Sequence, residues 1–462
     1  MNTYVQSDPL SLARRVEIDS TPFRNSTSSG ATHSRTKRRN TGIIHVPVRF
    51  AANRWGGAET VMMEVCHEQQ RAGWNPQIIT SKVLAPKPVE DLANVPIRRF
   101  DYCYPFFGLN REEKDALDRK GGNPLSMRLF TALLREPDVR LFHTYSLKRV
   151  GGMARTAARI RKKPLVVTLL EGLLEAPEAE RKALDAPVPG KLEWGSLFSP
   201  LFGARRILED ADMVICGSAS ECAQARQVLT HERIAHLPRG VDCQRFAHGD
   251  GPGFRKQHGI PQNAYLVMNI SSVHQQKNQL LLLEAFAKVA QENPAAYLVI
   301  LGPETDPAYG VLLRKIVREN QLESRVSFLP ALRHDDPALV DAYHACDVFV
   351  LPSLHEAFGI VVLEAWSAGK AVIVSSANSL QNLVARGKTG LIFDAKKKSA
   401  DDVLAAKLSI LAQSPNLRHF LGENGRQEVE KRYTWRKLEA DLETLYQLAE
   451  GNAARRFGKS AK

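Results

Sequence analysis

Residues 348–374 read VFVLPSLHEAFGIVVLEAWSAGKAVIV, and this stretch indicates the fold most clearly. The apolar run Val348 to Leu351 predicts a buried strand, and a loop containing Gly359 follows it. The next residues predict a short helix that carries Glu364 and ends at Gly369. A second strand is predicted over residues 371–374. The order strand, loop, helix and strand is typical of an α/β sheet with parallel strands.

The loop between the first strand and the helix predicts a binding site for an anion. The first N–H groups of a helix have no partner within the helix, and the helix dipole adds partial positive charge there. Two carboxylates, Glu356 and Glu364, flank this loop. Carboxylates do not favour the anion itself, but they accept hydrogen bonds from hydroxyl groups attached to it. Although single glutamates are usually solvated, the pattern indicates a pocket for a phosphate-bearing sugar, such as a sugar nucleotide.

Outside this stretch, strands and helices alternate in both halves of the chain. The first half has predicted strands at 42–46, 76–80, 138–142, 164–169 and 212–216, with a helix over 58–73 and irregular stretches at 82–137 and 175–206. The second half has predicted strands at 265–270, 297–301, 326–329, 348–351, 371–374 and 391–393, with helices at 279–293 and 309–320. This alternation predicts parallel sheets covered by helices. Two such domains in tandem predict a cleft, with ligands at the carboxyl ends of the strands.

The composition fits two globular domains with a basic surplus. The chain has 462 residues, 44% of them hydrophobic and 24% charged, and its net charge is +13. Residues 1–40 carry seven Arg or Lys against three acids, and residues 451–462 carry four cations and no acid. Both ends are interpreted as disordered basic segments, with loose contact to an anionic membrane as the alternative. No motif supports nucleic-acid binding.

The cysteines and the hydropathy pattern bear on the compartment. The six cysteines are scattered and form no C-x-x-C pair, which favours a reduced, cytoplasmic protein without a metal framework. No apolar run approaches the ~20 residues of a membrane helix, and the first residues lack a signal-peptide core. Asp210 and Asp212 resemble a metal-binding pair, but they stand at the start of a strand, so we interpret them as structural. We therefore expect no metal and no cofactor.

Further candidate site residues stand at the ends of predicted strands. Lys277 precedes a helix, where its ammonium group either reaches a phosphate or faces solvent. Gly302 follows a strand. It either lets a ligand approach the backbone closely or simply forms part of an ordinary turn. Gly56 and Gly57 open a helix after the first strand, where backbone N–H groups are accessible. His143 also ends a strand; a lone histidine is more often structural, but we include it with Glu356 and Lys277 as a candidate catalytic residue.

These motifs together resemble glycosyltransferase family 4, the retaining GT-B group that includes sucrose synthases and many bacterial polysaccharide and glycolipid enzymes. The spacing of Glu356 and Glu364 resembles the E-x7-E motif of that family. The resemblance covers roughly residues 41–449. The other matching segments are Gly56-Gly57-Ala58-Glu59, Pro238-Arg239-Gly240-Val241-Asp242, Lys277-Asn278, Gly387-Lys388-Thr389-Gly390 and Tyr433-x-Trp435.

The resemblance implies a role for each matched residue. Lys277 would bind the donor diphosphate, and Glu364 would bind the ribose of the nucleotide. Glu356 would lie near the transferred sugar, with the backbone amides of Ala357, Phe358 and Gly359 touching sugar or phosphate. Gly57 would approach the diphosphate from the other domain. Gly56, beside it, and Gly302, in a loop expected at the same carboxyl edge of the second sheet, are also predicted to bind the donor. Retention in this family is usually explained by front-face attack, in which the leaving phosphate accepts the proton of the acceptor.

The resemblance also implies a domain arrangement of GT-B type, with two Rossmann-like α/β domains facing across a cleft. A leader at 1–40 precedes an acceptor-side domain at 41–236 and a donor-nucleotide domain at 237–432. A helix at 433–450 would cross back to the first domain, and a tail at 451–462 would follow. The partners would be a UDP-, GDP- or ADP-sugar donor and a glycan or lipid-linked acceptor. The expected location is the cytoplasm, with peripheral contact at the inner face of the membrane as an option.

Three positions depart from the family pattern. Ser271 and Ser272 stand where the family usually has Gly-Arg, Leu170 stands at a usual histidine, and Asn382 stands at a usual glutamate. Glu171 and Arg239 are conceivable substitutes for the missing groups. The first hypothesis is a retaining, metal-independent glycosyltransferase in polysaccharide or glycolipid biosynthesis. The second is a catalytically silent GT-B protein that binds a sugar nucleotide or a partner enzyme. The third, a sugar-nucleotide epimerase, is disfavoured by the E-x7-E motif.

Overall fold

Two sheets of mostly parallel strands form the centre of the molecule. The computed structural model describes residues 41–51, 57–119, 122–169, 190–198, 201–202, 204–356, 358–377 and 379–458. In these residues the first sheet has the strand order β3-β4-β2-β1-β5-β6-β7-β8 and the second has β11-β10-β9-β12-β13-β14. Among the strands that the structure describes in these two sheets, β3 and β4 are the one antiparallel pair. The α/β prediction of two Rossmann-like domains is therefore confirmed.

The strands of the first sheet are β1 (Gly42–Val46), β2 (Asn75–Ser81), β3 (Val89–Leu92), β4 (Val95–Phe100), β5 (Val139–Thr144), β6 (Leu165–Leu169), β7 (Met213–Cys216) and β8 (Ile234–His236). The strands of the second sheet are β9 (Tyr265–Ile270), β10 (Ala296–Leu301), β11 (Val326–Leu329), β12 (Val348–Leu351), β13 (Ala371–Ser375) and β14 (Leu391–Phe393). Most central strands are buried along their whole length, because helices cover both faces of each sheet.

The α-helices, numbered through the described residues, are α1 (Gly57–Arg71), α2 (Arg111–Arg119), α3 (Met127–Arg135), α4 (Arg149–Ile160), α5 (Ala219–Val228), α6 (Gly251–Gln257), α7 (Gln279–Glu292), α8 (Pro307–Glu319), α9 (Pro337–Ala345), α10 (Ile360–Ser367), α11 (Leu380–Leu383), α12 (Ala400–Gln413), α13 (Pro415–Arg432) and α14 (Trp435–Arg456). Short 3-10 turns are formed by Gly195–Phe198, Ala204–Arg206 and Gln275–Lys277. None of the helices described is long and apolar enough to cross a membrane.

The hairpin of β3 and β4 lies within residues 82–137, a stretch that the sequence predicts to be irregular. Its two turn residues, Ala93 and Asn94, both have positive φ angles, of 49° and 67°. Two positive φ angles between antiparallel strands are typical of a type I′ turn, which usually carries Asn-Gly or Asp-Gly. Because alanine occupies the first turn position, the usual sequence signal is missing. The hairpin places β3 at the edge of the first sheet.

The last helix packs against the first sheet rather than the second. Leu442, Tyr446 and Ala449 of α14 share a buried cluster with Ile43 and Ile215 of the first sheet. On the same helix, Glu443 and Glu450 accept hydrogen bonds from Arg140 over distances of 2.7–3.0 Å. The guanidinium carbon of Arg140 also lies 3.9 Å from the ring centroid of Trp74. The chain thus returns to its first domain after completing the second.

The disordered tail predicted to begin at residue 451 is wrong over residues 451–456, which continue α14. Asn452 donates to the carbonyl oxygen of Asp212 over 2.8 Å, and Arg456 donates to the Asp212 carboxylate over 2.8 Å. Ala453 is buried. These contacts hold the last turn of the helix against the first domain. Local composition does not reveal them, because they join residues more than 200 positions apart. Residues 459–462 lie outside the described residues.

Candidate functional site

Two loops at the carboxyl edge of the second sheet lie side by side, because the strands that precede them, β9 and β12, are neighbours. The N–H of Leu354, in the loop after β12, donates to the carbonyl oxygen of Gln276, in the loop after β9, over 2.8 Å. The side chain of Asn278 donates to the carbonyl oxygen of Pro352 over 3.3 Å. Asn278 has φ 57°, a conformation that asparagine adopts more readily than most residues. The two loops therefore form one unit.

Lys277 and Glu356 form an ion pair in this unit. The Lys277 Nζ lies 2.6 Å from Glu356 Oε2, and the two side chains are 19% and 13% exposed. Ser353 Oγ lies 3.4 Å from the same carboxylate oxygen. The carbonyl oxygen of Glu356 accepts a hydrogen bond of 2.7 Å from Ser379 Oγ. A partly desolvated ammonium at this position can exchange its carboxylate partner for a bound phosphate.

Gly359 shapes the start of α10. Its φ and ψ angles are 89° and 51°, in the left-handed region that favours glycine. A Cβ atom here would lie 2.7 Å from Leu380 Cδ2. The next N–H groups begin α10, so this glycine turns the chain into a helix whose N-terminus has partial positive charge. The adjoining Phe358 is buried in the core of the second domain, and Ala357 lies outside the described residues.

Glu364 is buried inside α10, with 6% of its surface exposed. Its Oε2 accepts a hydrogen bond of 2.6 Å from the hydroxyl group of Tyr343. Burial raises the pKa of this carboxyl group, although the Tyr343 hydrogen bond and the nearby charge of Arg245 oppose the rise. Glu364 and Arg245 line a cavity of about 30 Å³ together with Glu64 and Trp435. The cavity therefore brings charged groups of both domains together.

Gly57 brings the first domain to this cleft. It is the first residue of α1, and a Cβ atom on it would lie 3.6 Å from Cδ1 of Ile360, the first residue of α10. The N-termini of two helices from different domains therefore meet. Gly57 therefore lies at the cleft, and its contact with a donor diphosphate stays a prediction. Gly56 lies outside the described residues.

Gly302 supports the site from beneath. A Cβ atom on it would overlap the carbonyl oxygen of Ser271 in the loop after β9. Gln279 donates to Ser271 Oγ over 3.0 Å and to the carbonyl oxygen of Ser272 over 2.9 Å. Asn269 Oδ1 accepts from Ser271 Oγ over 2.9 Å. Neutral polar groups thus hold the loop in which the family usually has its arginine.

His143 belongs to a different, buried set of polar groups. Its Nδ1 lies 2.8 Å from the hydroxyl oxygen of Tyr446, and its Nε2 lies 2.6 Å from Thr168 Oγ1. The hydroxyl group of Tyr145 and the ring of His45 continue the set. Burial and the neighbouring His45 hold the pKa of His143 well below its ordinary value, so its ring is neutral. The structure brings Lys277, Glu356 and Gly359 together but engages both nitrogens of His143 elsewhere.

Two contacts of the site carry no local sequence signal. Tyr343 reaches Glu364 from α9, and Arg245 reaches the same cavity from the segment after β8. Arg245 also donates to the carbonyl oxygen of His334. Arginine and tyrosine are common residues, and no motif around Arg245 or Tyr343 marks either of them as part of a binding site. Only the fold shows that these two side chains meet the E-x7-E helix.

Asp210 and Asp212 serve the first domain. Asp210 accepts hydrogen bonds from Arg155 over 2.6 Å and from Arg159 over 2.7 Å. Asp212 accepts from the N–H of Leu165 over 2.9 Å. The described part of the chain contains no group of three or more His, Cys, Asp or Glu side chains placed to hold a metal ion.

Comparison with known protein families gives two matches. The family model for glycosyl transferases group 1 matches residues 252–428. The model for the glycosyl transferase 4-like domain matches residues 56–240. Together these matches span most of both domains.

Curated relatives and solved structures are similar along most of the chain. A D-inositol 3-phosphate glycosyltransferase of Geodermatophilus obscurus is 27% identical over 414 residues, which are 85% of this chain and 85% of the relative. Anabaena HepE in complex with UDP has a TM-score of 0.67 at 19% identity and covers 88% of this chain and 100% of its own. Sucrose-phosphate synthase from Thermosynechococcus elongatus has a TM-score of 0.65 at 21% identity, covering 88% and 98%.

Proposed function

Because the chain belongs to glycosyltransferase family 4, the group 1 glycosyl transferases, we propose that it moves a sugar from a nucleotide-sugar donor to a glycan or lipid-linked acceptor with retention of configuration. The observation that carries the proposal is the Lys277–Glu356 pair beside the N-terminus of α10. A cation, a helix N-terminus and two carboxylates in one cleft suit a diphosphate that carries hydroxylated sugars.

A uridine nucleotide is the donor class to test first. Anabaena HepE, which shares the fold, is known in complex with UDP and with UDP-glucose. In the proposed complex Lys277 leaves Glu356 and binds the diphosphate, while Glu356 accepts a hydrogen bond from the donor sugar. Glu364 then accepts hydrogen bonds from the ribose. Its buried position and the Tyr343 hydrogen bond fix the orientation that such recognition needs.

The chemistry that we propose needs no protein nucleophile. The bond between the anomeric carbon and the diphosphate oxygen breaks, and the acceptor oxygen forms the new bond on the same face. The acceptor proton passes to the departing diphosphate oxygen. Lys277 and the N-terminus of α10 stabilise the negative charge that grows on this oxygen, so a metal ion is not required. We accordingly propose that no cofactor takes part, and that chelators leave the activity unchanged.

The acceptor class is proposed from the similarity to known transferases. The similar proteins of Geodermatophilus obscurus and Rhodococcus opacus are D-inositol 3-phosphate glycosyltransferases, at 27% and 25% identity. Inositol phosphate is therefore a useful member of an acceptor panel beside glycans and lipid-linked sugars. We propose a glycan or lipid-linked acceptor, in polysaccharide or glycolipid biosynthesis.

The first test compares variants of the ion pair for donor turnover and UDP binding. Lys277→Ala should lose UDP binding and lower donor turnover by about 100-fold or more, because one preorganised charge is removed from the leaving group. Glu356→Gln should lower turnover but keep or tighten UDP binding, because it frees the ammonium of Lys277. Lys288→Ala is the matched control, since Lys288 lies on the surface of α7 and pairs with Asp401. Hydrolysis and transfer with UDP-, GDP- and ADP-sugars are the measurements.

A catalytically silent GT-B protein is the second candidate. It is favoured by the loop after β9, where Ser271 and Ser272 are held by the neutral side chains of Asn269 and Gln279. The wild-type protein would then bind UDP, detected as a rise in melting temperature, without turnover of any donor in the panel. Turnover that is insensitive to Lys277→Ala would contradict both candidates.

We also propose peripheral contact with an anionic membrane at the inner face, supported by the seven cations of residues 1–40. Removing residues 1–40 should lower co-sedimentation with anionic vesicles and leave UDP binding unchanged. Equal co-sedimentation of the full and shortened chains would exclude a role for this segment.

A further inference from the structure

A turn at the end of α4 carries an unusual density of positive charge. Residues 159–163 read RIRKK, so four of five are cations, and residues 157–163 contain no acid. Between the cations, Ile160 is 60% exposed. Lys162 is exposed and has a positive φ angle of 52°, which turns the chain towards β6. The turn therefore presents an apolar side chain within a cationic surface.

A second segment continues this surface. Leu197 and Leu201 are 78% and 44% exposed, and Arg205 and Arg206 follow and are exposed. At Leu201 the chain lies directly on α4, because Thr156 Oγ1 donates to the carbonyl oxygen of Leu201 over 2.6 Å. Residues 199, 200 and 203 lie outside the described residues. Residues 197–206 also contain no acid.

Two further observations show that the segments form one surface. Ile160 lies one helical turn after Thr156, on the same side of α4 as the contact with Leu201. Arg159 and Arg206 both approach the carboxylate of Asp210, at 2.7 Å and 3.4 Å. We call this surface the basic apolar face; it consists of Arg159, Ile160, Arg161, Lys162, Lys163, Leu197, Leu201, Arg205 and Arg206.

We propose that the basic apolar face docks on the surface of an anionic phospholipid bilayer. Its six cations outnumber the single carboxylate of Asp210 that Arg159 and Arg206 approach, so the face carries a net positive charge that matches the negative potential of such a bilayer. Its three exposed aliphatic side chains can enter the boundary between headgroups and acyl chains. The occupant is thus chosen by charge complementarity together with apolar anchors. A nucleic acid would use the cations but would give no contact for exposed leucine and isoleucine side chains.

The proposal goes beyond the transfer reaction and does not depend on it. The face lies on α4 and the 197–206 segment, whereas the donor residues Lys277, Glu356 and Glu364 all belong to the second domain. Docking through the face would hold the protein at a membrane by a folded surface, with or without the residues before position 41. The face variants can therefore lose membrane binding while keeping UDP binding.

The test is binding of the full chain to vesicles of phosphatidylcholine alone and with about one-third phosphatidylglycerol. The charge variant Lys162→Glu/Arg205→Glu/Arg206→Glu changes three exposed cations. It should weaken binding to the anionic vesicles by about tenfold or more. The apolar variant Ile160→Ser/Leu197→Ser/Leu201→Ser should weaken binding by a similar factor. The remaining vesicle binding should depend more strongly on salt concentration, because it is mainly electrostatic.

Matched controls separate the face from net charge and total hydrophobicity. Lys396→Glu/Lys397→Glu/Lys398→Glu makes the same change of charge on an exposed loop of the second domain. Val311→Ser/Val403→Ser/Ile410→Ser removes three exposed aliphatic side chains there, which are 60%, 38% and 51% exposed. Both controls should bind vesicles within about twofold of the wild-type protein. Melting temperature and UDP binding report that each variant is folded.

Hydrogen exchange of the wild-type protein tests the proposal without substitutions. Anionic vesicles should protect residues 157–163, 197–198, 201–202 and 204–206, and neutral vesicles should not. Equal loss of binding in the charge variant and its control, with no effect of the apolar variant, would show a general effect of net charge and overturn the proposal. Absent protection of the face would overturn it as well. The proposal would also be overturned if the protein bound a single-stranded oligonucleotide, if the charge variant weakened that binding, and if the apolar variant did not change it.

Discussion

At the residue scale, Gly359 combines a conformational requirement with a steric one. Its φ of 89° disfavours any other residue, and a Cβ atom would also approach Leu380 at 2.7 Å. Gly369, at the other end of α10, has φ 69° but open space around the Cβ position. Both glycines therefore have a left-handed backbone, but only at Gly359 would a Cβ atom also clash with a neighbouring side chain.

This difference gives a prediction for Gly359→Ala. Both Gly359→Ala and Gly369→Ala should lower the free energy of unfolding by about 1–2 kcal/mol for the left-handed conformation. Gly359→Ala should cost more and should also weaken UDP binding, because the shift of Leu380 or of the loop moves the N-terminus of α10. Urea denaturation and UDP titration of both variants are the measurements. Equal stability loss with intact UDP binding in both would show that the steric contact is relieved without moving the loop.

At the scale of elements, α14 is attached to the first domain through Arg140. Its guanidinium pairs with Glu443 and Glu450 and lies over Trp74, and its own side chain is 6% exposed. Arg140→Ala should lower the free energy of unfolding by about 2 kcal/mol. This is less than for a fully buried pair, because the side chain of Glu450 is 39% exposed.

A surface ion pair of the preceding helix provides the comparison. Arg426 of α13 pairs with Glu423 in a more exposed setting, so Arg426→Ala should change the free energy of unfolding by less than about 1 kcal/mol. Urea denaturation measures both. Similar values for the two variants would mean that the contacts of Arg140 contribute no more than an ordinary surface pair.

At the scale of the whole molecule, buried histidines couple stability to pH. Burial lowers the pKa of His45 from an ordinary value of 6.5 to about 4, and the hydrogen bond to Gln69 only partly opposes this. Between pH 6.5 and about pH 4, His45 is therefore protonated in the unfolded chain but neutral in the folded chain. The contribution of His45 is fully present above pH 6.5 and is lost as the pH falls towards 4. His143 has the same sign.

We therefore expect the free energy of unfolding to fall between pH 6.5 and pH 4. His45→Gln should reduce this slope, because it removes one of several histidines whose pKa is lowered by burial, a set that also includes His143 and His334. Urea denaturation at several pH values measures the slope. Surface His419→Gln is the control and should leave it unchanged, and an equal slope in the wild-type protein and His45→Gln would contradict the assignment.

The sequence predicted the strands of the second sheet almost to the residue, because runs such as Val348 to Leu351 are buried on both faces and contain no polar residue. It did not predict the β3–β4 hairpin, because strand β3 has only four residues and two of them, Glu90 and Asp91, are adjacent acids that break the apolar–polar alternation of a half-buried strand. It also predicted that Lys277, Glu356 and Gly359 belong to one candidate site, and the structure brings these three residues together. Tyr343 and Arg245 were missed because their proximity to Glu364 depends on how α9 and the segment after β8 pack.

The return of α14 has a consequence for the preparation of fragments. The first domain is discontinuous in the chain, since its sheet is covered in part by Leu442, Tyr446 and Ala449. A single cut near residue 240 would yield one piece with an uncovered apolar surface and another with a detached helix. A usable fragment of the first domain would need residues 435–456 joined back by a linker, or supplied as a separate peptide. Adding such a peptide to the fragment should cover the apolar surface of the first sheet again, as the last helix does in the intact chain.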